Sequence, residues 1–202
     1  MIKNIVFDIG NVLVDFRWRD FLSDKGFDEA MIERIAKASV YSKYWDEFDK
    51  GIMSEEEVFE KFISLDPEIA DILHKAFDNI NGMVTKRDNA IPWIKALKDA
   101  GYKVYYLSNF SKKAYDECRD SLDFMAYTDG GIMSYTEYIT KPDPEIYKRL
   151  LKRFDLNSSE TVFIDDLKAN VEAAVKEGIN GIVYTSYEST ILELKRIGVK
   201  GI

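Results

Sequence analysis

Three short runs of β-branched and aromatic residues each end on a group able to do chemistry. Ile5-Val6-Phe7 runs into Asp8, Val104-Tyr105-Tyr106-Leu107 into Ser108-Asn109, and Thr161-Val162-Phe163-Ile164 into Asp165-Asp166. Continuous apolar runs of this length suit strands buried on both faces of a parallel sheet. In open parallel α/β sheets ligands bind beyond the carboxyl ends of the strands, which puts all three polar clusters along one edge. A fourth group, Lys141, stands before Pro142-Asp143-Pro144, where Asp143 as N-cap and Pro144 at the first helical position open a helix. Taken singly, each has an ordinary explanation: Asp and Ser-Asn favour turns and helix starts, and a lysine before a proline is usually at the surface. Their conjunction on one edge is much less probable by chance.

The chemistry follows from the residue types. Three carboxylates in close quarters cannot all stay ionised without a cation, and an all-oxygen donor set lacking His and Cys selects a hard ion such as Mg2+. Mg2+ ordinarily keeps several waters and a phosphate oxygen of its substrate. Asp8, Asp165 and Asp166 together with a phosphate dianion outweigh the charge of Mg2+ and Lys141, so neutral donors must hold the phosphoryl oxygens. The Ser108 hydroxyl, the Asn109 amide and backbone N–H groups after Asp8 are suitable. Asp8 is then free to attack phosphorus as a carboxylate nucleophile. Lys141, neutralising charge beside it, is expected to matter for turnover and little for folding.

These groups need a frame, and the sequence from Lys86 onward supplies one by alternating helix with strand. Residues 90–100 form a helix stopped by Gly101, residues 111–122 another, and residues 168–177 a third capped by Gly178. Residues 124–128 read as a short strand before a Gly130-Gly131 turn, and residues 181–184 as the last strand, followed by a helix over 189–197. Each parallel connection needs a crossover, normally helical, so the pattern predicts a doubly wound, parallel Rossmann-like α/β sheet.

Residues 16–85 differ and read as helical throughout. A helix is predicted over 28–38; residues 41–50 are closed by Gly51; Ser54 with Glu57 makes a capping box; and Asp66-Pro67 opens another helix with Asp66 as N-cap. Phe16, Trp18, Tyr41, Tyr44 and Trp45, beside Arg17, Arg19 and Lys43, have the composition of a sugar-stacking surface, although aromatics at such spacing more often form a core. His74 is the only histidine, which excludes a His-based triad with a second histidine and suits a partly exposed helix residue.

The 202 residues, 46% hydrophobic and 32% charged, suffice for a real core, as one domain with an insertion. A formal net charge of -8 argues against a nucleic-acid partner. No apolar run approaches membrane-spanning length, so no membrane partner is expected. Cys118 is the only cysteine, which excludes a disulfide framework and fits a reducing compartment. A soluble, cytoplasmic protein is the expectation.

The set Asp8-Ile9-Gly10-Asn11-Val12, Leu107-Ser108-Asn109, Lys141-Pro142 and Phe163-Ile164-Asp165-Asp166, in this order, resembles the haloacid dehalogenase-like hydrolase superfamily. The resemblance spans the whole chain. It implies an α/β catalytic core of residues 1–15 and 86–202 with an inserted α-helical cap domain at 16–85. It also implies that Asp8 is the nucleophile, that Ser108, Asn109 and Lys141 bind phosphate, and that Asp166 with Asp165 beside it holds Mg2+. The Gly10 carbonyl, two residues after the nucleophile, is the implied further ligand, and Asn170 an implied buttress of the metal loop. The implied substrate is a small-molecule phosphate ester.

One departure from the family pattern bears on mechanism. Phosphatases of the superfamily usually carry a second aspartate two residues after the nucleophile as general acid and base, and here that position is Gly10. The pattern Asp-x-Gly-Asn, an apolar pair and Asp15 is similar to the branch holding sugar-1-phosphate phosphatases and the phosphatase domain of epoxide hydrolases. Without an acid at position 10, substrates with stable leaving groups are expected to be favoured, sugar 1-phosphates among them. Two other readings stand beside the Mg2+-dependent phosphatase: a metal-independent dehalogenase, whose attack on carbon needs no Mg2+, and a non-catalytic phospho-acceptor or binding protein.

Overall fold

The computed structural model describes residues 1–201. Its strands are β1 (Asn4–Phe7), β2 (Val14–Phe16), β3 (Val84–Lys86), β4 (Lys103–Ser108), β5 (Gly130–Met133), β6 (Thr161–Asp165) and β7 (Asn180–Val183). Five of them form one sheet in the order β5-β4-β1-β6-β7, with every pairing parallel. The chain leaves β1 for β4 and β5 on one side and returns to β6 and β7 on the other. The strand order therefore reverses at β1, the switch point at which open α/β sheets bind ligands. Phe7 is level with Tyr106 of β4 and Ile164 of β6, and the Asp8 amide donates to the Ile164 carbonyl at 2.8 Å. Asp8 thus emerges between the ends of its two neighbours.

Alternate strand residues fill two cores. On one face Val6, Leu107 and Phe163 pack with Ile146, Tyr147 and Leu150 of α8 (Pro144–Arg153) and Ala174 of α9 (Lys168–Lys176). Tyr147 meets Phe163 edge-on, with ring centroids 5.7 Å apart. On the other, Ile5, Phe7 and Ile164 meet Trp93, Ile94 and Leu97 of α6 (Ala90–Asp99) and Leu194 of α10 (Tyr187–Arg196). Residues such as Phe7 and Phe163 have no exposed surface, and burying each side chain contributes about 1.5–3 kcal/mol.

Between β2 and β3 the chain forms α1 (Trp18–Asp24), α2 (Glu29–Ala38), α3 (Lys43–Lys50), α4 (Glu55–Leu65), a 3₁₀ turn (Pro67–Ile69) and α5 (Ala70–Phe77). Local sequence sets these bounds: Asp28 caps α2, Ser54 and Glu57 close a reciprocal capping box on α4, and Gly51 ends α3 in the left-handed conformation. Trp45 of α3 is the hub, stacked on Phe62 at 6.2 Å and tilted against Phe77 at 6.0 Å. The two ends of this segment are joined by the antiparallel pair β2–β3, with Asp15 opposite Thr85. Among the described residues no helix is long and apolar enough to cross a membrane.

Three local expectations fail. Residues 16–85 are not helical throughout, since Phe16 ends β2 and Val84 opens β3, where the two chain crossings pair with each other. Residues 124–128 are not a strand: Arg119–Tyr127 is 3₁₀-helical after a short α7 (Lys112–Glu117), and the edge strand is Gly130–Met133 itself. The glycines there answer a packing demand, since a Cβ on Gly131 would lie 2.4 Å from the Tyr106 ring. Asp66 does not cap with its side chain; it takes a bidentate contact from Arg34, at 2.5 and 2.8 Å. The solitary His74 is half exposed and faces Asp78, and Cys118 is buried, donating to the Ile80 carbonyl.

Candidate active site

Asp8 is 7% exposed, and its neighbours come from three separate segments. Lys141 reaches it from the loop before α8, placing Nζ 2.7 Å from Asp8 Oδ1 and 2.6 Å from Asp165 Oδ2. The Lys141 backbone is held by Asn109. Its N–H donates to Asn109 Oδ1 at 2.7 Å, and Asn109 Nδ2 returns a bond to the Lys141 carbonyl at 2.9 Å. That reciprocal pair fixes the lysine loop to the end of β4 and leaves one Asn109 N–H free, because an amide nitrogen carries two. Ser108 is buried at the same strand end, and its hydroxyl favours the ionised form of Asp8.

The two aspartates after β6 are held differently. Asp165 has no exposed surface. Oδ1 accepts from the Leu167 amide at 2.7 Å and from Asn170 Nδ2 at 3.1 Å, while Oδ2 accepts from Lys141 and, at 3.0 Å, from Asn170 Nδ2. Asp166 is partly exposed, and its Oδ2 accepts from Asn11 Nδ2 at 3.1 Å. Asn11 sits at φ +57°, a left-handed conformation that Asn tolerates well, and its Oδ1 takes the Phe16 amide at 3.2 Å. One side chain therefore ties the loop after Asp8 both to β2 and to Asp166. The same loop is gripped from outside by Arg87, which donates to Asp15 at 2.7 Å, to the Asn11 carbonyl at 2.5 Å and to the Tyr184 hydroxyl at 3.1 Å.

Electrostatics follow the burial. Loss of solvent pushes the Asp8 carboxyl up to about 6; Lys141 opposes this and Asp165 adds to it. Burial acts against the Lys141 ammonium, but Asp8 and Asp165 prevail and hold its pKa above the ordinary lysine value. Asp166 is raised by burial, with Asn11 opposing. Oxygens of Asp8, Asp165 and Asp166 lie within 4.8 Å of one another, an all-oxygen set matched to a hard divalent cation.

These groups form one end of a cavity of about 460 Å³ between the sheet edge and the helices of residues 16–85. Asp8, Gly10, Ser108, Asn109, Lys141 and Asp166 line it. The rest of its lining is largely apolar, with Phe16, Trp45, Phe48, Met83 and Phe110. Of the aromatic candidates, Phe16 and Trp45 are in that lining, whereas Trp18 and Tyr41 pack edge-on against each other at 5.5 Å. Arg17 and Arg19 are taken up by Asp24 and by Glu29 with Glu33. Sequence reasoning gave no role to Asn11, Arg87 or Asp49, which also lines the cavity. Asn11 lay inside the quoted first motif, so its place beside Asp8 was a usable signal; Arg87 and Asp49 carried none.

A parallel α/β sheet with a buried aspartate at the end of its central strand, facing a lysine and two further aspartates, is the framework of a hydrolytic enzyme. A model of the haloacid dehalogenase-like hydrolases matches residues 2–178, and the chain belongs to that family. It is 26% identical over 195 residues to the sesquiterpene phosphatase of Aspergillus oryzae, covering 96% of each chain. It is likewise 26% identical over 193 residues to the D-ribitol-5-phosphate phosphatase of Bacteroides thetaiotaomicron, covering 88% of this chain and 89% of that one. A crystal structure of a family enzyme from Bacteroides thetaiotaomicron, in complex with magnesium and inorganic phosphate, matches its fold with a TM-score of 0.71. That match has 21% identity and covers 94% of this chain and 99% of the other.

Proposed function

We propose that the protein is a Mg2+-dependent phosphatase that hydrolyses a small-molecule phosphate monoester through an aspartyl-phosphate on Asp8. The observation carrying this reading is the buried Lys141 ammonium, which bridges Asp8 and Asp165 at 2.7 and 2.6 Å. It favours the ionised form of a nucleophilic carboxylate against the cost of burial, and it orients that carboxylate. Asp8 attacks phosphorus, and Lys141, the Ser108 hydroxyl and the free Asn109 N–H offset charge on the phosphoryl oxygens. The ion would be held by Asp8, the Gly10 carbonyl and Asp166, and when bound it supplies positive charge to the phosphoryl group. Both oxygens of Asp165 are already occupied by Lys141, Asn170 and the Leu167 amide, which favours a role for Asp165 in orienting Lys141 and the metal loop over direct ligation. Residues 1–15 and 86–202 are the catalytic core in this reading and 16–85 the cap, a division supported by the β2–β3 pair that joins the two strands of connecting chain. The acidic chain and its single buried thiol suit the cytoplasm.

The Asp-x-Gly-Asn motif supports a sugar phosphate, a sugar 1-phosphate in particular, as substrate. The cavity wall favours a second reading. Phe16, Trp45, Phe48, Met83 and Phe110 suit an ester whose organic part is apolar, as in the relative that acts on a sesquiterpene. A panel containing glucose 1-phosphate, glucose 6-phosphate and a prenyl monophosphate, assayed with Mg2+ and with EDTA, decides between the two. Release of halide from a 2-haloacid in EDTA, without turnover of any phosphate ester, would overturn the phosphatase reading in favour of a dehalogenase.

A further inference from the structure

Position 10 offers no side chain to protonate a departing oxygen, yet the cavity that Asp8 lines holds a carboxyl group not used in the chemistry described so far. Asp49 lies in the last turn of α3 and lines the same cavity as Asp8, Ser108 and Lys141. Four aspartates line this cavity, and three have a side-chain partner: Asp8 in Lys141, Asp166 in Asn11, and Asp46 in Lys50 at 2.7 Å. Among the described residues no lysine or arginine forms an ion pair with Asp49.

Its position is fixed by the core. Ser134 Oγ donates to the Asp49 carbonyl at 2.6 Å and accepts the Phe110 amide at 2.9 Å, so one hydroxyl ties the end of α3 to the loop that follows Ser108. Two residues on, Gly51 turns at φ +68° against Tyr135, so closely that a Cβ there would lie 3.0 Å from the tyrosine Cβ. Asp49 is thus docked on the same segment that carries the phosphate-binding groups.

We propose that Asp49 is the proton donor and acceptor of the reaction, delivered from the cap in place of the aspartate that position 10 lacks. The inference rests on the phosphatase reading. As Asp8 forms its bond to phosphorus, the P–O bond to the leaving group breaks, and the departing oxygen takes the Asp49 proton to leave as an alcohol. The Asp49 carboxylate then accepts a proton from the water that attacks the aspartyl-phosphate. Inorganic phosphate leaves, with Asp8 again a carboxylate and Asp49 again an acid. The surroundings suit the cycle: partial burial, together with the Asp46 and Asp8 carboxylates, outweighs Lys141 and the Ser111 amide. Together they push the Asp49 carboxyl up to about 8, so that it holds its proton at neutral pH.

The test is leaving-group dependence, which a purely structural role would not move. Wild type, Asp49→Asn and Asp49→Glu are compared with Mg2+ on p-nitrophenyl, phenyl and benzyl phosphate, in order of rising leaving-group basicity. In kcat/KM, Asp49→Asn is expected to lose about 10²- to 10⁴-fold on benzyl phosphate and less than about tenfold on p-nitrophenyl phosphate, the scale of general acid catalysis. With p-nitrophenyl phosphate it should also show a burst of nitrophenol, because the aspartyl-phosphate then lacks its base. Asp49→Glu keeps an acid and should keep the shallow dependence. A uniform loss across the three esters, or a Glu variant as steep as the Asn variant, would overturn the proposal while leaving the phosphatase reading intact. Absence of turnover by wild type on every ester would overturn the phosphatase reading, and this inference with it.

Discussion

Lys141 and Asp165 form an ion pair of 2.6 Å with side chains only 1% and 0% exposed, and Asp8 completes the triad at 2.7 Å. The sequence places Lys141 beside Asp8 and predicts that its loss matters for turnover and little for folding; this burial adds a cost in folding. Lys141→Ala leaves two buried carboxylates facing each other without a cation, and breaking a buried pair in this way costs about 3–5 kcal/mol. Turnover should fall by at least about 100-fold, the scale of a lost preorganised contact to the transition state. Urea denaturation and steady-state kinetics on one preparation check both. A variant as stable as wild type would contradict the buried triad, and one within twofold in turnover would remove Lys141 from the mechanism.

Asp8→Asn is expected to separate activity from stability. Burial raises the Asp8 pKa from 3.8 to about 6, so the fold disfavours its ionised form. The native state therefore binds the proton more tightly than the unfolded chain. Any stability Asp8 contributes is present at low pH and is lost as pH rises through the window from 3.8 to about 6. At pH 7.5 without Mg2+, the neutral Asn should leave Tm equal to or above wild type, with Lys141 still paired to Asp165. Turnover should drop on the order of 10⁴-fold or more, as when a covalent nucleophile is removed. A marked fall in Tm, or near-wild-type turnover, would count against this account of Asp8.

Asn11 is the tether of Asp166, and Asn11→Gly tests it cleanly because glycine accepts the φ of +57° without strain. Outer partners of metal ligands typically contribute about 10- to 100-fold in affinity. The Mg2+ concentration giving half-maximal activity should rise by that factor, while kcat at saturating Mg2+ stays within about threefold. An unchanged Mg2+ requirement would show that Asp166 needs no help from Asn11.

The strand ends were legible because Asp8, Ser108 and Asp165 each follow an apolar run too short for a helix, so periodicity and position coincided. The edge strand was not, because Gly130-Gly131 carries the composition of a turn. Gly131 is set by the Tyr106 ring on the adjacent strand and Gly130 by the Phe154 ring, contacts no local window contains. Residues 124–128 were misread in the complementary way: Phe124 is buried and gives an apolar signal without a strand. Asp49 was invisible for a third reason. In α3 it belongs to a run of charged residues that reads as a solvated face, and only docking of the helix end onto Ser134 and Tyr135 turns it into the cavity wall. Lys141 was legible as a motif residue, but its burial was not, since that depends on the Asn109 clamp.

The last prediction concerns the vacant acid at position 10. Gly10 has no left-handed backbone angle, and a Cβ built on it meets nothing nearer than Asp8 Oδ2 at 4.0 Å. Aspartate can therefore be accommodated there without backbone strain, and Gly10→Asp should fold with a Tm close to wild type in the presence of Mg2+. Its carboxyl would stand beside Asp8 Oδ2, and the expectation is that it returns the proton that Asp49→Asn withholds. The anomeric hydroxyl is more acidic than a primary alcohol, so a site without an acid discriminates strongly between glucose 1-phosphate and glucose 6-phosphate. Asp49→Asn should therefore favour the 1-phosphate more steeply than wild type does, and the double variant Gly10→Asp/Asp49→Asn should recover mainly on the 6-phosphate. Ratios of kcat/KM for the two sugars across the four proteins make the comparison independent of enzyme concentration. Recovery equal on both sugars would mean that the new carboxyl acts on binding and not on proton transfer. No recovery on either, in a folded double variant, would place the departing oxygen out of reach of position 10 and leave Asp49 as the sole source of its proton.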